Sequence, residues 1–441
     1  MKIKAIPLKF SSVIEDEYQK QLQIITQMFS NEVEFLQSIQ VGDVIPDEAL
    51  VVVFPVLVGE AYSKLSFLQT IKLPIIIITS HYGTMAMWDW EILTVFKELG
   101  MNVFAPYNPE LARIVFRSIA LKQEMKTAKF LVFQDTPGDG MQADIFKRFY
   151  WWEQRCTQSI KDKFGIEIII KSYKEVGEKA KRISDSAALE AAKQHKVNAC
   201  SLSSERKLLS AYKLFMAINE EIQSIADVKG VGANCLNESF LTDTTPCLAW
   251  NLLYKNYGIV WSCEGDTMSL LTQYTIEKVI KAPVITTNIY PFLMGMAALA
   301  HEKITEFPNV PDPDDYALLV HCGYFGFVPE PMAQKWEIKD KVLGIVDENA
   351  HIIDAEIGTG RITLAKIHSS FEKFFVCDAE LEKYVQYPGS DCRNGGLIRV
   401  SDGHKLMDKL YSHHISVVKG NKKDELRTIC RLFDLDFDDI K

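Results

Sequence analysis

Short apolar runs alternate with longer amphipathic segments from about residue 48 to residue 290 of this sequence. Runs of this length are typical of strands, and the segments with apolar residues three or four apart are typical of helices. Strands that alternate with helices form βαβ units around a parallel sheet, so the pattern predicts an α/β fold. Because each run is apolar at most positions, we expect strands that are covered on both faces. The predicted strands are residues 50–57, 74–79, 102–104, 129–134, 166–171, 231–236, 258–263 and 283–288.

The series of strands and helices restarts near Lys129. We therefore predict two Rossmann-like, three-layer α/β domains, which comprise residues 1–127 and residues 128–300. The predicted helices are residues 88–99, 109–125, 143–163, 187–193, 205–225, 247–255 and 267–281.

After about residue 300 the pattern changes. A link rich in proline and aspartate, EFPNVPDPDD, precedes strand-like runs that follow one another without helices between them. Such a series predicts an antiparallel sheet or a small barrel, so residues 301–441 are expected to form a β-rich, barrel-like domain with a closing helix. The predicted strands are residues 317–322, 342–346, 361–367, 373–377, 397–400 and 415–418, and the closing helix is residues 422–433.

Composition and charge narrow the class of partner. The 441 residues are 47% hydrophobic and 24% charged, as in an ordinary folded protein. The 49 Lys and Arg residues against 58 Asp and Glu residues give a net charge of −9. Because no segment holds a dense block of Lys and Arg, we do not expect a nucleic-acid partner.

Three features predict a cytoplasmic protein without a membrane partner. The nine cysteines are scattered and none is in a C-x-x-C arrangement, which is typical of free thiols in a reducing compartment. No apolar core of a signal peptide precedes the acidic residues 15–17. Residues 282–300 are uncharged, but Pro291 and Gly295 interrupt them, which favours a buried strand followed by a helix over a membrane span.

One glycine-rich segment has the spacing of a nucleotide-binding loop. Gly138, Gly140 and Ala143 follow the predicted strand 129–134 in the order G-x-G-x-x-A. The next strand ends in Lys171, where a carboxylate that binds ribose is required. A glycine turn is therefore the favoured interpretation.

Acidic residues follow two neighbouring predicted strands. Glu238 lies just beyond residues 231–236, and Glu264 and Asp266 lie just beyond residues 258–263. The carboxyl ends of parallel strands meet at one edge of a sheet, where carboxylates can share Mg²⁺ or Mn²⁺. Helix capping is an equally good interpretation, above all for Asp266, which precedes the predicted helix 267–281.

Two histidine positions are weaker candidates. His413 and His414 precede the predicted strand 415–418, and adjacent side chains in an extended segment point to opposite sides. His321 is followed by Cys322 at the end of the strand 317–322. A surface histidine for the first pair and a core histidine for the second are the favoured interpretations.

A longer segment resembles a known family. The sequence GVGANCLNESFLTDTTPCLAWNLLYKNYGIVWSCEGDTMSLLTQY is similar to the middle-domain core of the L-fucose isomerase and L-arabinose isomerase superfamily. The segments GRITLAKI and SHHISVVKGNKKDELRTICRLFDLD resemble a barrel strand and the final histidine strand with its closing helix in that family. The resemblance is strong over about residues 229–275 and 411–437.

This resemblance implies a metal site and a reaction. In the family, two middle-domain acids and one C-terminal histidine hold a divalent metal, usually Mn²⁺, and another cation such as Mg²⁺ is the alternative. These positions fall on Glu238, Asp266 and His414, with His413 as the alternative histidine. The implied activity is that of an aldose–ketose isomerase, an intramolecular oxidoreductase, acting on a pentose, a 6-deoxyhexose or a related sugar. Glu238 and Asp266 would also carry the proton, and the resemblance implies a homo-oligomer, either a trimer or a hexamer.

Two other classes of protein remain open at this point. A non-catalytic carbohydrate-binding or sensing protein would also use two α/β domains with aromatic residues. A thiol hydrolase acting through Cys322 or Cys263 lacks an evident histidine partner and ranks last. The aromatic residues considered for sugar binding are Trp88, Trp90, Trp250 and Trp261.

Overall fold

Two units make up the chain. Met1–Gln123 and Arg431–Phe433 form the first unit, and Glu124–Cys430 and Asp434–Lys441 form the second. The computed structural model describes residues 2–78, 89–139, 144–148, 153–197, 199–300, 307–320, 328–340, 348–385 and 395–440, with the backbone alone for residues 89 and 297–300.

The first unit is built on a parallel sheet whose strands run in the order β2-β1-β4-β5-β6, with β3 also paired to β1. The first strand was not predicted, because two lysines and a proline interrupt its apolar residues, yet its apolar side chains are buried. The elements are β1 Ile3–Lys9, α1 Glu15–Met28, β2 Val33–Phe35, β3 Ile39–Gln40, β4 Val51–Phe54, α2 Glu60–Ser63, α3 Leu65–Leu68, β5 Ile75–Ile77, α4 Asp89–Glu98, β6 Val103–Phe104 and α5 Pro109–Met125.

The second unit begins with another parallel sheet, in the order β11-β10-β7-β8. Helices connect its strands, as the alternating pattern predicts. The elements are β7 Lys129–Phe133, α6 Gln154–Phe164, β8 Glu167–Lys171, α7 Tyr173–Arg182, α8 Asp185–Gln194, β9 Cys200–Ser201, α9 Glu205–Gln223, β10 Val228–Ala233, α10 Cys235–Glu238, α11 Cys247–Tyr257, β11 Val260–Ser262 and α12 Thr267–Ile280.

A closed antiparallel barrel follows. Its six strands run in the order β16-β19-β12-β13-β18-β17, and β17 pairs back to β16. A further strand, β20, adds to β17 in the parallel direction. The elements are β12 Val284–Pro291, α13 Phe292–Ala300, β13 Tyr316–Val320, β14 Ala333–Asp340, β15 His351–Ile357, β16 Gly360–Ile367, β17 Lys373–Tyr384, β18 Gly395–Arg399, α14 Gly403–Lys409, β19 His414–Lys419, α15 Lys423–Phe433 and β20 Asp436–Ile440.

The mixed α/β class and the barrel are confirmed, but two predicted elements differ and one hairpin was not predicted. The strand predicted at 283–288 was assigned to the parallel region, whereas β12 pairs antiparallel with β13 and β19 of the barrel. The helix predicted over 143–163 is not continuous, because residues 145–148 are helical but Glu153, with φ −54° and ψ 131°, is not, and α6 begins at Gln154. The hairpin of β14 and β15, which also pairs with β9, was not predicted. The predicted strand 342–346 lies outside the described residues.

Candidate metal centre

The ends of β10 and β11 lie side by side. The two strands are parallel neighbours, with Gly232 opposite Ser262. The short helix α10 follows β10, and a single 3-10 turn, Cys263–Gly265, follows β11. The thiols of Cys235 and Cys263 are 3.8 Å apart across these two segments. The acidic segments after the two strands are therefore adjacent at the carboxyl edge of the sheet.

The turn after β11 holds Glu264 in an unusual conformation. Glu264 has φ 56° and ψ 14°, which is the left-handed region, and only 3% of it is exposed. A side chain with a Cβ in this region costs about 1–3 kcal/mol, and such residues persist where the surroundings hold them. Gly232 permits the turn to approach β10, because a Cβ at that position would lie 3.2 Å from Cα of Gly265. The backbone therefore fixes the buried carboxylate of Glu264 at the sheet edge.

Asp266 caps α12, as one of the two sequence interpretations proposed. Its Oδ1 accepts the backbone N–H of Ser269 at 2.8 Å, and its Oδ2 accepts the Ser269 hydroxyl at 2.7 Å. The same Oδ2 lies 2.9 Å from Nζ of Lys366 and 2.9 Å from Nδ1 of His414. The carboxylate is fully buried, so it combines the capping role with two contacts to the barrel.

The charge state of Asp266 determines which ring nitrogen of His414 donates a hydrogen bond to it. Burial raises the pKa of the Asp266 carboxyl, but the Lys366 ammonium and His414 lower that pKa by more, so it lies below its ordinary value. An ionised carboxylate accepts hydrogen bonds only, so Nδ1 of His414 is the donor in this contact. In the neutral imidazole, Nε2 then carries the lone pair. This arrangement of carboxylate and imidazole is the one that orients histidine ligands in metal proteins.

The lone pair of His414 faces a second carboxylate. Nε2 of His414 is 3.8 Å from Oε2 of Glu264. Within the described residues this nitrogen has no hydrogen-bond partner, although His414 is completely buried. A cation between Glu264 and His414 would take the carboxylate oxygen and the imidazole nitrogen as ligands.

His413 joins the same group. One ring nitrogen of His413, one ring nitrogen of His414 and one carboxylate oxygen of Glu264 all lie within 4.8 Å of one another. The rings of His413 and His414 have centroids 4.2 Å apart, and the ring of Phe146 is 5.3 Å from that of His413. His414 is completely buried, whereas His413 is only half-buried. Both imidazoles lie beside one carboxylate.

Glu238 has a different environment. Only 1% of it is exposed, and its carboxylate accepts the backbone N–H groups of Thr136 at 2.6 Å and Asp135 at 2.9 Å. The amide of Asn234 donates a third hydrogen bond at 2.8 Å. Burial raises the pKa of Glu238, and these hydrogen bonds oppose but do not cancel the increase. Glu238 thus ties the end of β10 to the segment after β7.

The structure brings together two of the three residues that the resemblance selected. Asp266 and His414 are in contact, whereas the hydrogen bonds described for Glu238 go to other residues. Glu264 lay in the acidic cluster found from the sequence, but the resemblance did not assign it a role. Whether Glu238 binds a metal stays a prediction.

Lys366 is not identified by any local signal in the sequence. The residue lies near the end of β16, and 2% of it is exposed. Besides Asp266, its ammonium donates to the hydroxyl of Ser269. Burial lowers the pKa of Lys366, and the Asp266 carboxylate opposes this decrease. A lysine at the end of an apolar strand is ordinary, and its partner is 100 residues away in the sequence.

Other sequence candidates contribute little to this centre. Trp250 and Trp261 are buried and stack with centroids 5.0 Å apart, so they belong to the core, whereas Trp90 is exposed. Burial raises the pKa of the Cys263 thiol well above its ordinary value, which disfavours a thiolate nucleophile. Gly138 has φ 82°, as expected for a glycine turn. The candidates outside the described residues are Trp88, Gly140, Ala143, His321 and Cys322.

Comparisons with known proteins give no family. No protein-family model matches the chain, and no curated protein matches it. One similar solved structure is an ABC transporter solute-binding protein from Burkholderia multivorans, with an unknown ligand built as α-D-erythrofuranose. It is 11% identical, covers 53% of this chain and 80% of its own, and has a TM-score of 0.16, which is too low to carry an argument. Among the described residues, no helix has both the length and the apolar character needed to cross a bilayer.

Proposed function

We propose that this chain is a metal-dependent aldose–ketose isomerase that acts on a pentose, a 6-deoxyhexose or a related sugar. The observation that carries the proposal is a group of one carboxylate and two imidazoles, Glu264, His413 and His414, in which Glu264 and His414 are buried and His413 is half-buried. A further carboxylate, Asp266, contacts His414. The sequence resemblance supplies the reaction class, and the donor group supplies a place for the cation. The direct ligands in this proposal are thus Glu264 and the histidine pair, whereas Asp266 orients His414.

The donor atoms fit a divalent transition metal. A mixed set of imidazole nitrogen and carboxylate oxygen suits Mn²⁺ better than Mg²⁺, which prefers oxygen alone. Ligand atoms around one such ion lie about 3 Å apart, since each is about 2.1 Å from the metal. The distance of 3.8 Å between Nε2 of His414 and Oε2 of Glu264 is close to that separation. Small side-chain shifts would bring these two atoms to one ion.

The chemistry of the reaction requires a proton to move between two adjacent carbons of the sugar. The bound cation would polarise the substrate oxygens and stabilise the negative charge that develops on them. Two carboxylates here have pKa values shifted in opposite directions, raised for Glu238 and lowered for Asp266. Opposite shifts distinguish a proton carrier from a permanently charged group. We assign the proton transfer to Glu238 and the orientation of His414 to Asp266.

The proposal includes the domain organisation predicted from the sequence. Two Rossmann-like, three-layer domains, residues 1–127 and 128–300, would precede the C-terminal domain of residues 301–441. Two separate parallel sheets, one of β1–β6 and one of β7, β8, β10 and β11, support this division. Because β12 belongs to the barrel, the barrel takes its first strand from the middle segment, and the histidine strand β19 pairs with it. We propose a cytoplasmic homo-oligomer, either a trimer or a hexamer.

A non-catalytic sugar-binding protein is the second candidate, and one observation favours it. The Glu238 carboxylate already accepts several hydrogen bonds, and Oδ2 of Asp266 is in contact with Lys366. Carboxylates with these contacts are less available for proton transfer than those of a typical enzyme site. A binding protein would need a pocket for the sugar but not a free base.

A metal-depletion assay separates the two candidates. The purified protein is treated with EDTA, dialysed, and assayed for ketose formation from a panel of aldoses before and after addition of Mn²⁺. The isomerase proposal predicts loss of ketose formation with EDTA and its return with Mn²⁺. Sugar-dependent thermal stabilisation without ketose formation from any aldose in the panel would support the binding protein and contradict the isomerase.

A further inference from the structure

Two buried amides in the second unit have no hydrogen-bond partner. Both polar side-chain atoms of Gln134 and both of Asn288 are without a partner in the described part of the chain. Gln134 is 4% exposed and Asn288 is fully buried. Most buried side-chain amides are hydrogen-bonded, because a donor or acceptor taken out of water without a partner destabilises the fold. The absence of a partner for these two buried amides is therefore unusual and suggests that they bind something else.

Asn288 lies beside the candidate metal ligand His414. In the antiparallel pair of β12 and β19, Asn288 is directly opposite His414. Side chains at opposite positions emerge on the same face of a sheet, with Cβ atoms about 5 Å apart. Nε2 of His414 also has no hydrogen-bond partner among the described residues. An unpaired amide and an unpaired imidazole nitrogen are thus neighbours on one wall of the barrel.

The face that carries Asn288 is turned toward α12. Thr286 is two residues before Asn288 on β12 and therefore shares its face. The Thr286 hydroxyl contacts the amide of Gln273, which is on α12. Since α12 begins at the Asp266 cap, the amide of Asn288 belongs to the same side of the barrel as the proposed centre.

Gln134 approaches the same helix from the sheet. It directly follows β7, and alternation along the strand places it on the face of Phe130 and Val132. The ring of Phe130 packs edge-on against Tyr274 of α12, with centroids 5.5 Å apart. Gln134 therefore lies at the carboxyl edge of the sheet on the α12 face. Both unpaired amides therefore lie beside the acidic residues that follow β10 and β11.

We propose that Asn288 and Gln134 bind hydroxyl groups of the sugar, and that they determine which sugars the site accepts. An amide presents one acceptor and two donor hydrogens, and a sugar hydroxyl is both donor and acceptor, so the two groups are complementary. A site built to hydrogen-bond hydroxyls discriminates strongly against ligands that lack them, because its polar groups would remain unpaired. This assignment rests on the proposed sugar function and deepens it.

The test uses alditols, which have the hydroxyls of a sugar but no carbonyl and so bind without reacting. L-Arabinitol, L-fucitol, xylitol and ribitol are titrated calorimetrically into the Mn²⁺-loaded protein. Wild type should bind at least one of these alditols. Asn288→Leu and Asn288→Ala should weaken that binding by about tenfold or more, and Gln134→Leu should do the same. Without ligand, Asn288→Leu should melt at the wild-type temperature or above it, since it removes an unpaired buried amide.

A matched control is available in Asn349, a buried residue whose amide donates to Asp243 at 3.0 Å. Asn349→Leu should lower the melting temperature and leave alditol affinity unchanged. The proposal is overturned if Asn288→Leu and Asn288→Ala bind alditols within twofold of wild type, if Asn288→Leu destabilises the free protein as Asn349→Leu does, or if wild type binds none of the four alditols.

The same preparations show which proposal has failed. Mn²⁺ affinity is measured by electron paramagnetic resonance on wild type and on Asn288→Leu, and ketose formation is measured on wild type. Alditol binding that depends on the amides, together with no ketose formation, refutes the isomerase and leaves the amide assignment intact. Ketose formation with unchanged alditol binding in the variants refutes the amide assignment and leaves the isomerase intact.

Discussion

Oδ2 of Asp266 lies 2.9 Å from Nδ1 of His414, although the two residues are 148 positions apart in the sequence. The carboxylate belongs to the cap of α12 and the imidazole belongs to the barrel strand β19. One hydrogen bond therefore connects the parallel sheet's last helix to the barrel. It also fixes the ring of His414, so that Nε2 is directed toward Glu264.

Asp266→Asn should weaken Mn²⁺ binding by about 10–100-fold, the typical effect of losing a carboxylate that orients a histidine ligand. The amide can still cap α12, but it no longer enforces a hydrogen on Nδ1 of His414. Mn²⁺ affinity measured by electron paramagnetic resonance checks the prediction. Asp402→Asn is the control, because Asp402 caps α14 by accepting the N–H of Lys405 at 2.9 Å and should not affect Mn²⁺ affinity. Equal Mn²⁺ affinities for Asp266→Asn and wild type would show that this contact does not orient a ligand.

Lys366→Met should destabilise the fold by about 3–5 kcal/mol, because it leaves the buried carboxylate of Asp266 without its ammonium partner. The double variant Asp266→Asn, Lys366→Met should recover part of that loss, since no unpaired charge remains. Urea unfolding of wild type, both single variants and the double variant gives the coupling energy. If the double variant lost as much unfolding free energy as the two single variants together, a buried ion pair at this position would be contradicted.

Glu264→Gln and Glu238→Gln should have different effects. Glu264→Gln removes a proposed ligand, so both Mn²⁺ affinity and ketose formation should fall by orders of magnitude. Glu238→Gln removes the proposed proton carrier, so turnover should fall while Mn²⁺ affinity stays near that of wild type. The comparison requires Mn²⁺ titrations and turnover measurements on both proteins. If Glu238→Gln lost Mn²⁺ binding and Glu264→Gln kept it, the metal ligand would be Glu238 and not Glu264, as the sequence resemblance implied.

Acid should destabilise the second unit through His351. This residue is fully buried, its Nε2 accepts the N–H of Leu248 at 2.9 Å, and its Nδ1 is 3.0 Å from the Thr244 hydroxyl. Burial lowers the pKa of His351 from 6.5 to about 3. The unfolded chain therefore binds a proton that the folded protein does not, and the contribution of His351 to stability, present in full above pH 6.5, is lost as the pH falls toward 3.

The loss should amount to roughly 3 kcal/mol between pH 6.5 and pH 4, at about 1.4 kcal/mol for each pH unit. Other groups also titrate in this range, so the comparison is between wild type and His351→Gln, which removes the titrating group. Urea unfolding as a function of pH should give a smaller slope for the variant between pH 6.5 and 4. If the unfolding free energies of wild type and His351→Gln fell in parallel with pH, this role of His351 would be excluded.

The fold could be predicted where burial alone determines the pattern. Apolar runs such as Lys129–Phe133 and Gly360–Ile367 predict strands because their side chains face other elements on both sides. The same property explains the error at β12. A strand covered on both faces is apolar whichever sheet it joins, so its sequence does not specify that it pairs with β19.

The candidate site could be predicted only in part, for a related reason. Strand ends identify Glu238, Glu264 and Asp266 as acids at one sheet edge, since the direction of parallel strands is implied by the βαβ pattern. The pairing of Asp266 with Lys366, and the unpaired amide of Asn288 beside His414, depend on tertiary contacts between distant segments. No local spacing encodes those contacts.

Anomalous X-ray diffraction from a crystal soaked in Mn²⁺ would show which side chains bind the metal. We expect one Mn²⁺ peak bonded to Nε2 of His414, the Glu264 carboxylate and a ring nitrogen of His413, with Asp266 still hydrogen-bonded to Nδ1 of His414. A peak bonded to Glu238 and Asp266 instead, or no Mn²⁺ peak near His414 in a crystal that has taken up the metal elsewhere, would contradict it.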